Sequence, residues 1–249
     1  MNDSVPTRRR HRMIDRMAVL LDAVARSRDG LTLTEIARAT ASPTSSAQGL
    51  VNGLVATGYL DERERRYTLG PAPYLLNLLS GRTLVTVVGH ADLESLHEQT
   101  ALTAVLAIAV GRDIYYIDHR GVDERFNYLA QNLVRRPLLR TSSGWVLLAH
   151  LDRRDLWTHL QSATPEDSQR VDDLLAEMPR ILETGVCATD KSSDSGDGVA
   201  VAVREAGEVV AAVAIVGTPE DIGPRRGELA RLLRTTADAR SWSSQRPRI

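Results

Sequence analysis

The feature that most constrains this chain is the ordered series of apolar stripes and chain breaks over residues 13–70. Met13, Ile14, Met17, Leu20, Leu21 and Val24 recur every three or four residues, the period of a helix that buries one face. Asp29-Gly30 breaks that run. Thr32 then offers an N-cap, with Glu35 three positions on as its capping-box partner. Leu33, Ile36 and Ala37 are expected to face inward on a short second helix. Thr40-Ala41-Ser42-Pro43 reads as a turn, with Pro43 at the first position of a third helix. Ala47, Leu50, Val51, Leu54 and Val55 supply the buried stripe of that helix, and Gly58 stops it. Tyr59–Leu69 reads as two short strands around a charged tip. Three helices followed by such a hairpin predict a winged helix-turn-helix.

The exposed face of the third helix carries the chemistry. It holds Thr44, Ser45, Ser46, Gln48 and Asn52. In helix-turn-helix proteins the first residues of this helix reach base edges in the major groove. Ser and Thr bond bases or phosphates, and Asn and Gln can pair bidentately with adenine. Arg63, Arg65 and Arg66 at the wing tip are placed to meet phosphates or a minor groove. The candidate DNA-contacting set is Thr32, Thr34, Pro43, Thr44, Ser45, Ser46, Gln48, Gly49, Asn52, Arg63, Arg65 and Arg66. The alternative is a winged helix used for protein contacts.

Charge is divided unevenly. Residues 1–80 hold 11 arginines and 8 acids, a net of +3; residues 81–249 hold 20 basic and 24 acidic residues, a net of −4. A DNA-binding half joined to an acidic regulatory half fits that asymmetry. Lys191 is the sole lysine, a bias that suggests a GC-rich genome and weakens any argument from arginine content alone. The basic leader ending at Arg12 reads as a disordered arm, either a DNA attachment or a plain leader. One cysteine, Cys187, excludes an internal disulfide and a Cys-based zinc site. No apolar stretch approaches the ~20 residues needed to span a bilayer, so a cytoplasmic protein is expected.

The remainder predicts a linker helix over 71–81, with an apolar stripe of Tyr74, Leu75, Leu78 and Leu79, and then an α+β domain over 82–249. Its expected elements are a helix over 84–100, strands over 102–110 and 114–119, a further strand over 127–134, helices over 144–151 and 166–184, a strand pair over 199–204 and 209–216, and a closing helix over 225–240. Ser142 or Ser143 is the expected cap of the 144–151 helix. A pocket is expected between the sheet and the loops at 136–144 and 187–198. Hydroxyls and free backbone N–H groups at a helix start favour an anion, and Arg140 would add a bidentate carboxylate contact. The candidate effector-binding residues are Tyr116, Arg140, Thr141, Ser142, Ser143, Gly144, Trp145, Asp190, Asp197 and Gly198; Arg140 could equally be a solvated surface residue, and Tyr116 and Trp145 core.

The residues carry a wider resemblance. Gly30-Leu31-Thr32-Leu33-Thr34-Glu35-Ile36-Ala37, Leu50 and Leu54, Gly58-Tyr59-Leu60, Tyr67-Thr68-Leu69-Gly70, Arg136-Pro137-Leu138 with Thr141 and Gly144, Glu183-Thr184-Gly185-Val186, and the stretches Val199–Arg204 and Glu208–Val216 together resemble the isocitrate lyase regulator (IclR) family of bacterial transcription factors. The resemblance runs from about residue 13 to 240. It implies a GAF-like effector-binding domain, an operator of inverted-repeat DNA, a dimer or dimer of dimers, and a small, often carboxylate-bearing effector. Several positions depart from the family pattern. Gly49 stands where a recognition-helix Arg is usual, Gln48 where a basic residue or His is usual, and Leu139-Arg140 where the family has His and a small residue. Ser195-Gly196-Asp197-Gly198 replaces the family's small-residue and Cys stretch.

An enzyme is the remote reading. Asp194-Ser195-Gly196 resembles a serine nucleophile's surroundings, but no His can be tied to it. His90 and His97 share a helix face without a third metal ligand, and no phosphate-binding Gly loop is present. No cofactor or metal is expected. The sequence therefore predicts a ligand-responsive DNA-binding regulator, with repression the expected sense; a winged-helix regulator acting without a ligand through dimer or protein contacts is the runner-up, and a small-molecule hydrolase the distant third.

Overall fold

The structure is a computed structural model that describes residues 11–81, 84–193, 196–240 and 242. The chain divides into two compact units, residues 8–83 and, in the main, 84–249.

The first unit begins with α1 (Arg12–Arg26), followed by β1 (Leu31–Thr32), α2 (Leu33–Ala39), α3 (Thr44–Ala56), β2 (Leu60–Arg63), β3 (Arg66–Leu69) and α4 (Ala72–Ser80). Its three strands pair antiparallel in the order β1-β3-β2. The helices enclose Leu20, Val24, Ile36, Ala37, Ala47, Val51 and Leu54, closed beneath by Leu60 and Tyr67 of the hairpin. The predicted capping box is present: the Thr32 amide and hydroxyl both donate to the Glu35 carboxylate at 2.8 Å. Two expectations are corrected. Met13 and Ile14 are exposed, because the core-facing stripe of α1 begins a turn later. Pro43 is the N-cap of α3 rather than its first residue.

Helix α4 buries none of its residues; Tyr74, Leu75, Leu76, Leu78 and Leu79 are all exposed. Gly81 ends it in the left-handed conformation, which a residue without Cβ adopts freely.

The second unit runs α5 (His90–Thr100), β4 (Thr103–Val110), β5 (Asp113–Arg120), α6 (Glu124–Gln131), β6 (Arg136–Pro137), α7 (Ser142–Ala149), α8 (Arg153–Leu160), α9 (Ser168–Thr184), β7 (Val186–Cys187), β8 (Asp197–Glu205), β9 (Glu208–Gly217), α10 (Pro219–Ile222) and α11 (Arg226–Ala239). All strand pairings are antiparallel, and the order is β6-β5-β4-β9-β8-β7.

Residue size alternates across this sheet. One face presents Ala107, Ala200, Ala202, Ala212 and Ala214 beneath α7. The other presents Leu106, Ile108, Val199, Val201, Val203, Val213 and Ile215 to the layer of α5 and α11. Small side chains let α7 sit close to the strands. Gly144 fits α7 against the turn before it, since a Cβ there would lie 2.0 Å from the Leu138 carbonyl oxygen.

The expected strand over 127–134 is instead α6. Asp123 caps it by accepting from the Arg125 amide at 2.9 Å, and Phe126 and Ala130, four apart, are its buried residues. The cap of α7 is Thr141, whose hydroxyl accepts from the Gly144 amide at 3.0 Å, in place of Ser142 or Ser143. The helix expected over 84–100 starts only at His90. The preceding irregular segment is pinned where the Glu205 carboxylate accepts from the Thr86 hydroxyl (2.9 Å) and the Val87 amide (3.1 Å), and the Trp242 indole donates to the Val87 carbonyl (3.1 Å).

Candidate functional site

Two surfaces carry functional chemistry, one on each unit. On the first, α3 holds no charged residue over its whole length. Thr44, Ser45 and Ser46 are exposed in its first turn, where backbone amides lack helical acceptors and attract anions. A Cβ on Gly49 or Gly53 would meet no atom within 4 Å, so this face is open and low. Gln48 and Asn52 rise from it, and the Gln48 side-chain amide donates to Asn52 Oδ1 at 2.7 Å. Thr34 is exposed at the start of α2, whereas the Thr32 hydroxyl is committed to the capping box.

The wing is a tight hairpin in which Arg63 pairs with Arg66. Its two turn residues, Glu64 and Arg65, have positive φ (52° and 62°), the sense that matches strand twist in two-residue hairpins. Arg63 and Arg65 project at the tip. Arg66 is divided in role, since it donates to the Gly30 carbonyl at 2.9 Å and so ties the wing to the turn after α1. Residues 8–10 of the basic arm lie outside the described residues.

On the second unit, the start of α7 meets β8 and the loop before it. Tyr116, Thr141, Ser142, Asp197 and Gly198 come together there, joined by Phe126, Arg136 and Ser193, around a narrow cleft of only about 10 Å³. An adjoining cavity of about 350 Å³ shares Phe126, Ser193, Gly196 and Asp197 and adds Asp190 and Arg125. The Phe126 ring thus stands between the two spaces. Burial pushes the Tyr116 phenol above its ordinary pKa, against the pull of the neighbouring Arg136 guanidinium, which hydrogen-bonds it. Asp197 is buried and held by Arg226 at the start of α11, with Nη1 3.0 Å from Oδ1. Gly198 sits tightly, since a Cβ there would lie 3.0 Å from Ser142 Oγ.

The other candidates lie elsewhere. Arg140 is turned away to Asp167. Trp145 is fully buried with its indole donating to the Leu139 carbonyl at 2.9 Å, which makes it core. Ser143 and Gly144 are buried in the first turn of α7 without lining the cleft, and Ser143 Oγ has no partner among the described residues. Arg136 and Ser193 lie in the loops expected to close the pocket, though neither is among the named candidates, and Phe126 and Arg125 escaped the sequence reading altogether. Arg125 and Phe126 precede the strand expected over 127–134, in a stretch given no element, although Asp123 before an i, i+4 pair is a legible helix signal.

Residues of enzymatic interest are engaged structurally. His90 Nδ1 meets Asp118 at 2.9 Å, and His97 Nδ1 donates to the Leu102 carbonyl at 2.7 Å. Among the described residues no group of three or more His, Cys, Asp or Glu side chains could hold a metal ion. Asp194 and Ser195 lie outside those residues.

Both parts of the chain match known domains. The profile of the IclR helix-turn-helix domain matches residues 13–64, and that of the bacterial transcriptional regulator IclR C-terminal domain matches residues 78–242. The chain belongs to the IclR family. This IclR regulator therefore pairs a DNA-binding helix-turn-helix with a C-terminal effector-binding domain.

Solved structures share the fold. An IclR homolog from Microbacterium hydrocarbonoxydans, complexed with 4-hydroxybenzoate, is 22% identical with a TM-score of 0.64, covering 93% of this chain and 100% of its own. An IclR-family regulator from Brucella abortus is 18% identical with a TM-score of 0.67, covering 94% and 93%. The Agobacterium tumefaciens repressor BlcR is 24% identical with a TM-score of 0.53, covering 94% and 97%. None of the curated proteins matches the chain. No helix among the described residues is long and apolar enough to cross a membrane.

Proposed function

We propose that this regulator represses transcription from an inverted-repeat operator, and that a small organic acid bound at the start of α7 changes its grip on DNA. The observation that carries the reading is the cleft itself. Arg136, Tyr116 and Ser142 converge there beside the first turn of a helix, and a guanidinium, a phenol, a hydroxyl and helix-start amides together suit a carboxylate with a nearby polar group. The 4-hydroxybenzoate bound by the Microbacterium homolog has that chemistry, and BlcR supplies the precedent for repression. The apolar face of α4, with Tyr74 67% and Leu79 73% exposed, supports assembly as a homodimer or dimer of dimers. A two-fold protein reads a two-fold site. No cofactor enters this scheme.

The test is a thermal-shift screen of 4-hydroxybenzoate and other small carboxylates, followed by DNA binding with and without each hit. A ligand that binds the folded state raises its apparent stability by mass action. A hit should lose its shift in Arg136→Gln and should alter operator affinity. A protein that binds its operator but responds to no carboxylate would instead favour regulation without a ligand, which the small volume of the narrow cleft would then explain.

A further inference from the structure

Strand β8 and helix α11 are tied to each other at both ends. At their starts Asp197 and Arg226 form a buried ion pair: Arg226 Nη1 donates to Asp197 Oδ1 at 3.0 Å, and Nη2 bonds Oδ2. Asp197 is only 5% exposed and Arg226 19%. At their ends the Arg204 amide donates to the carbonyl of Trp242, just past α11, at 2.7 Å. A register shift between Val203 and Arg204 interrupts the β8–β9 ladder there, and such a bulge re-aims the groups it displaces. Between the two ties, Leu229, Leu233, Ala237 and Trp242 are wholly buried in one cluster with Val199, Val201 and Val203. By the rise per residue, β8 spans about 26 Å and α11 about 21 Å, so the two are nearly matched in length.

Each end has its own neighbour. At the first, Asp197 lines both the narrow cleft and the cavity beside it. At the second lies the segment that brings the chain from the first unit into the second. Glu205, the last residue of β8, accepts there from the Thr86 amide, from the Thr86 hydroxyl (2.9 Å) and from the Val87 amide (3.1 Å), all through one carboxylate oxygen. The Trp242 indole donates to the Val87 carbonyl at 3.1 Å. Residues 86 and 87 are thus held once by the strand and once by the extension of the helix.

We infer that Glu205 and Trp242 are positioning residues that clamp this connecting segment, and that β8 and α11 carry the state of the Asp197–Arg226 pair to the clamp. Close-packed interiors compress little and transmit strain, so a strand and a helix packed along their length move as bodies rather than deform between their ends. An occupant that displaces Asp197 therefore changes the hold on Thr86 and Val87. The signal reaches the segment that leads to the first unit without altering any DNA-facing side chain of α3. The inference rests on the reading that the effector enters this cleft. Its test uses no effector, so the two fail separately.

Amide hydrogen exchange of the full-length protein is the measurement, because the Thr86 and Val87 amides both donate to Glu205. Glu205→Ala should speed exchange at these two amides by about tenfold or more, the effect expected when bonds to a charged acceptor are lost. Glu205→Gln, which still accepts, should speed them less. Arg226→Lys should speed the same amides about tenfold from the opposite end, because an ammonium keeps the charge but cannot grip a carboxylate through two nitrogens. The amides of β4 should stay protected in every variant, which separates local release from unfolding. Arg140→Ala removes a partner from a different buried carboxylate and should leave residues 86 and 87 unmoved. On a duplex that wild type selects from a random library, Glu205→Ala and Arg226→Lys should shift affinity in the same direction, and the double variant no further than the larger single change. Exchange at 86 and 87 unmoved by Arg226→Lys, or affinity unmoved by Glu205→Ala, would overturn the inference. Coupled exchange together with no melting shift from any carboxylate would sustain it and overturn the effector assignment alone.

Discussion

Arg140 grips the carboxylate of Asp167 through two nitrogens, Nε at 3.0 Å and a terminal nitrogen at 3.3 Å. Arg170 approaches the same carboxylate at 3.2 Å and the Thr164 hydroxyl donates to it at 3.1 Å. Asp167 is nearly inaccessible, its side chain only 8% exposed. Burial alone would favour its protonated form, but the Arg140 guanidinium, the Thr164 hydroxyl and the charge of Arg170 outweigh that and hold its pKa below the ordinary carboxylate value. The cluster braces the turn before α7 against the start of α9.

Arg140→Ala should therefore reduce stability by about 1–3 kcal/mol, because it leaves a buried charge short of partners. The loss is read from the urea midpoint at pH 7. A depressed carboxyl pKa stabilises the fold above the unfolded value of about 3.9 and ceases to do so as pH falls through the lower folded value. The difference between wild type and variant should accordingly shrink below pH 4. Operator affinity and the response to any carboxylate hit should persist at 25 °C. Loss of the response in a folded variant would return Arg140 to the effector site.

The wing arginines separate by role. Arg63→Ala and Arg65→Ala should each weaken binding alike on all DNA sequences and flatten the salt dependence by roughly one unit of slope. Arg66→Ala should in addition lower the stability of the first unit by about 1 kcal/mol, since it also removes the bond to the Gly30 carbonyl. Salt titrations of operator binding, with thermal melts of each variant, check both statements. An unchanged slope in the first two variants would remove the wing from the DNA interface.

Cys187 should be chemically silent. It is fully buried in β7, and that burial, only partly offset by the Thr189 backbone amide and reinforced in smaller measure by the Glu177 charge, pushes its thiol up to about 12. The thiolate is the reactive form. Iodoacetamide at pH 8 should leave the native protein unlabelled and modify it stoichiometrically in 8 M urea, as read by intact mass. Rapid native labelling would show that β7 opens.

The winged helix was legible because its signals are local. Thr32 with Glu35, the break at Asp29-Gly30 and the apolar period of α3 each act within a few residues of one another. The alternating strands β4, β8 and β9 were legible for the same reason. What escaped depends on distant partners. Nothing near Arg140 in sequence reveals that Asp167, 27 residues on, takes its guanidinium. Arg136 reads as a loop residue until β6 sets it beside Tyr116. Asn127–Val134 carries apolar residues at spacings that suit strand and helix alike, and the deciding evidence was the cap at Asp123, upstream of the run. Met13 and Ile14 fit the helical stripe yet lie beyond the reach of the small core beneath it.

The near-absence of free volume beside Ser142 and Asp197 bears on dose. The wall formed by α7 cannot retreat, since it is pressed onto the alanine face of the sheet and Gly144 already touches backbone. Room for an occupant must come from the Phe126 and Gly196 side, where a Cβ at 196 would lie only 3.2 Å from the aromatic ring. Under the proposed function, an effector in the cleft would bind only the open fraction of molecules, and its apparent dissociation constant would be the intrinsic value divided by that fraction. On the proposed reading of the cleft, the packing of one ring over one glycine would set the concentration at which the molecule responds. If the effector sits in this cleft, Phe126→Leu should relieve the packing over Gly196 and move that threshold downward.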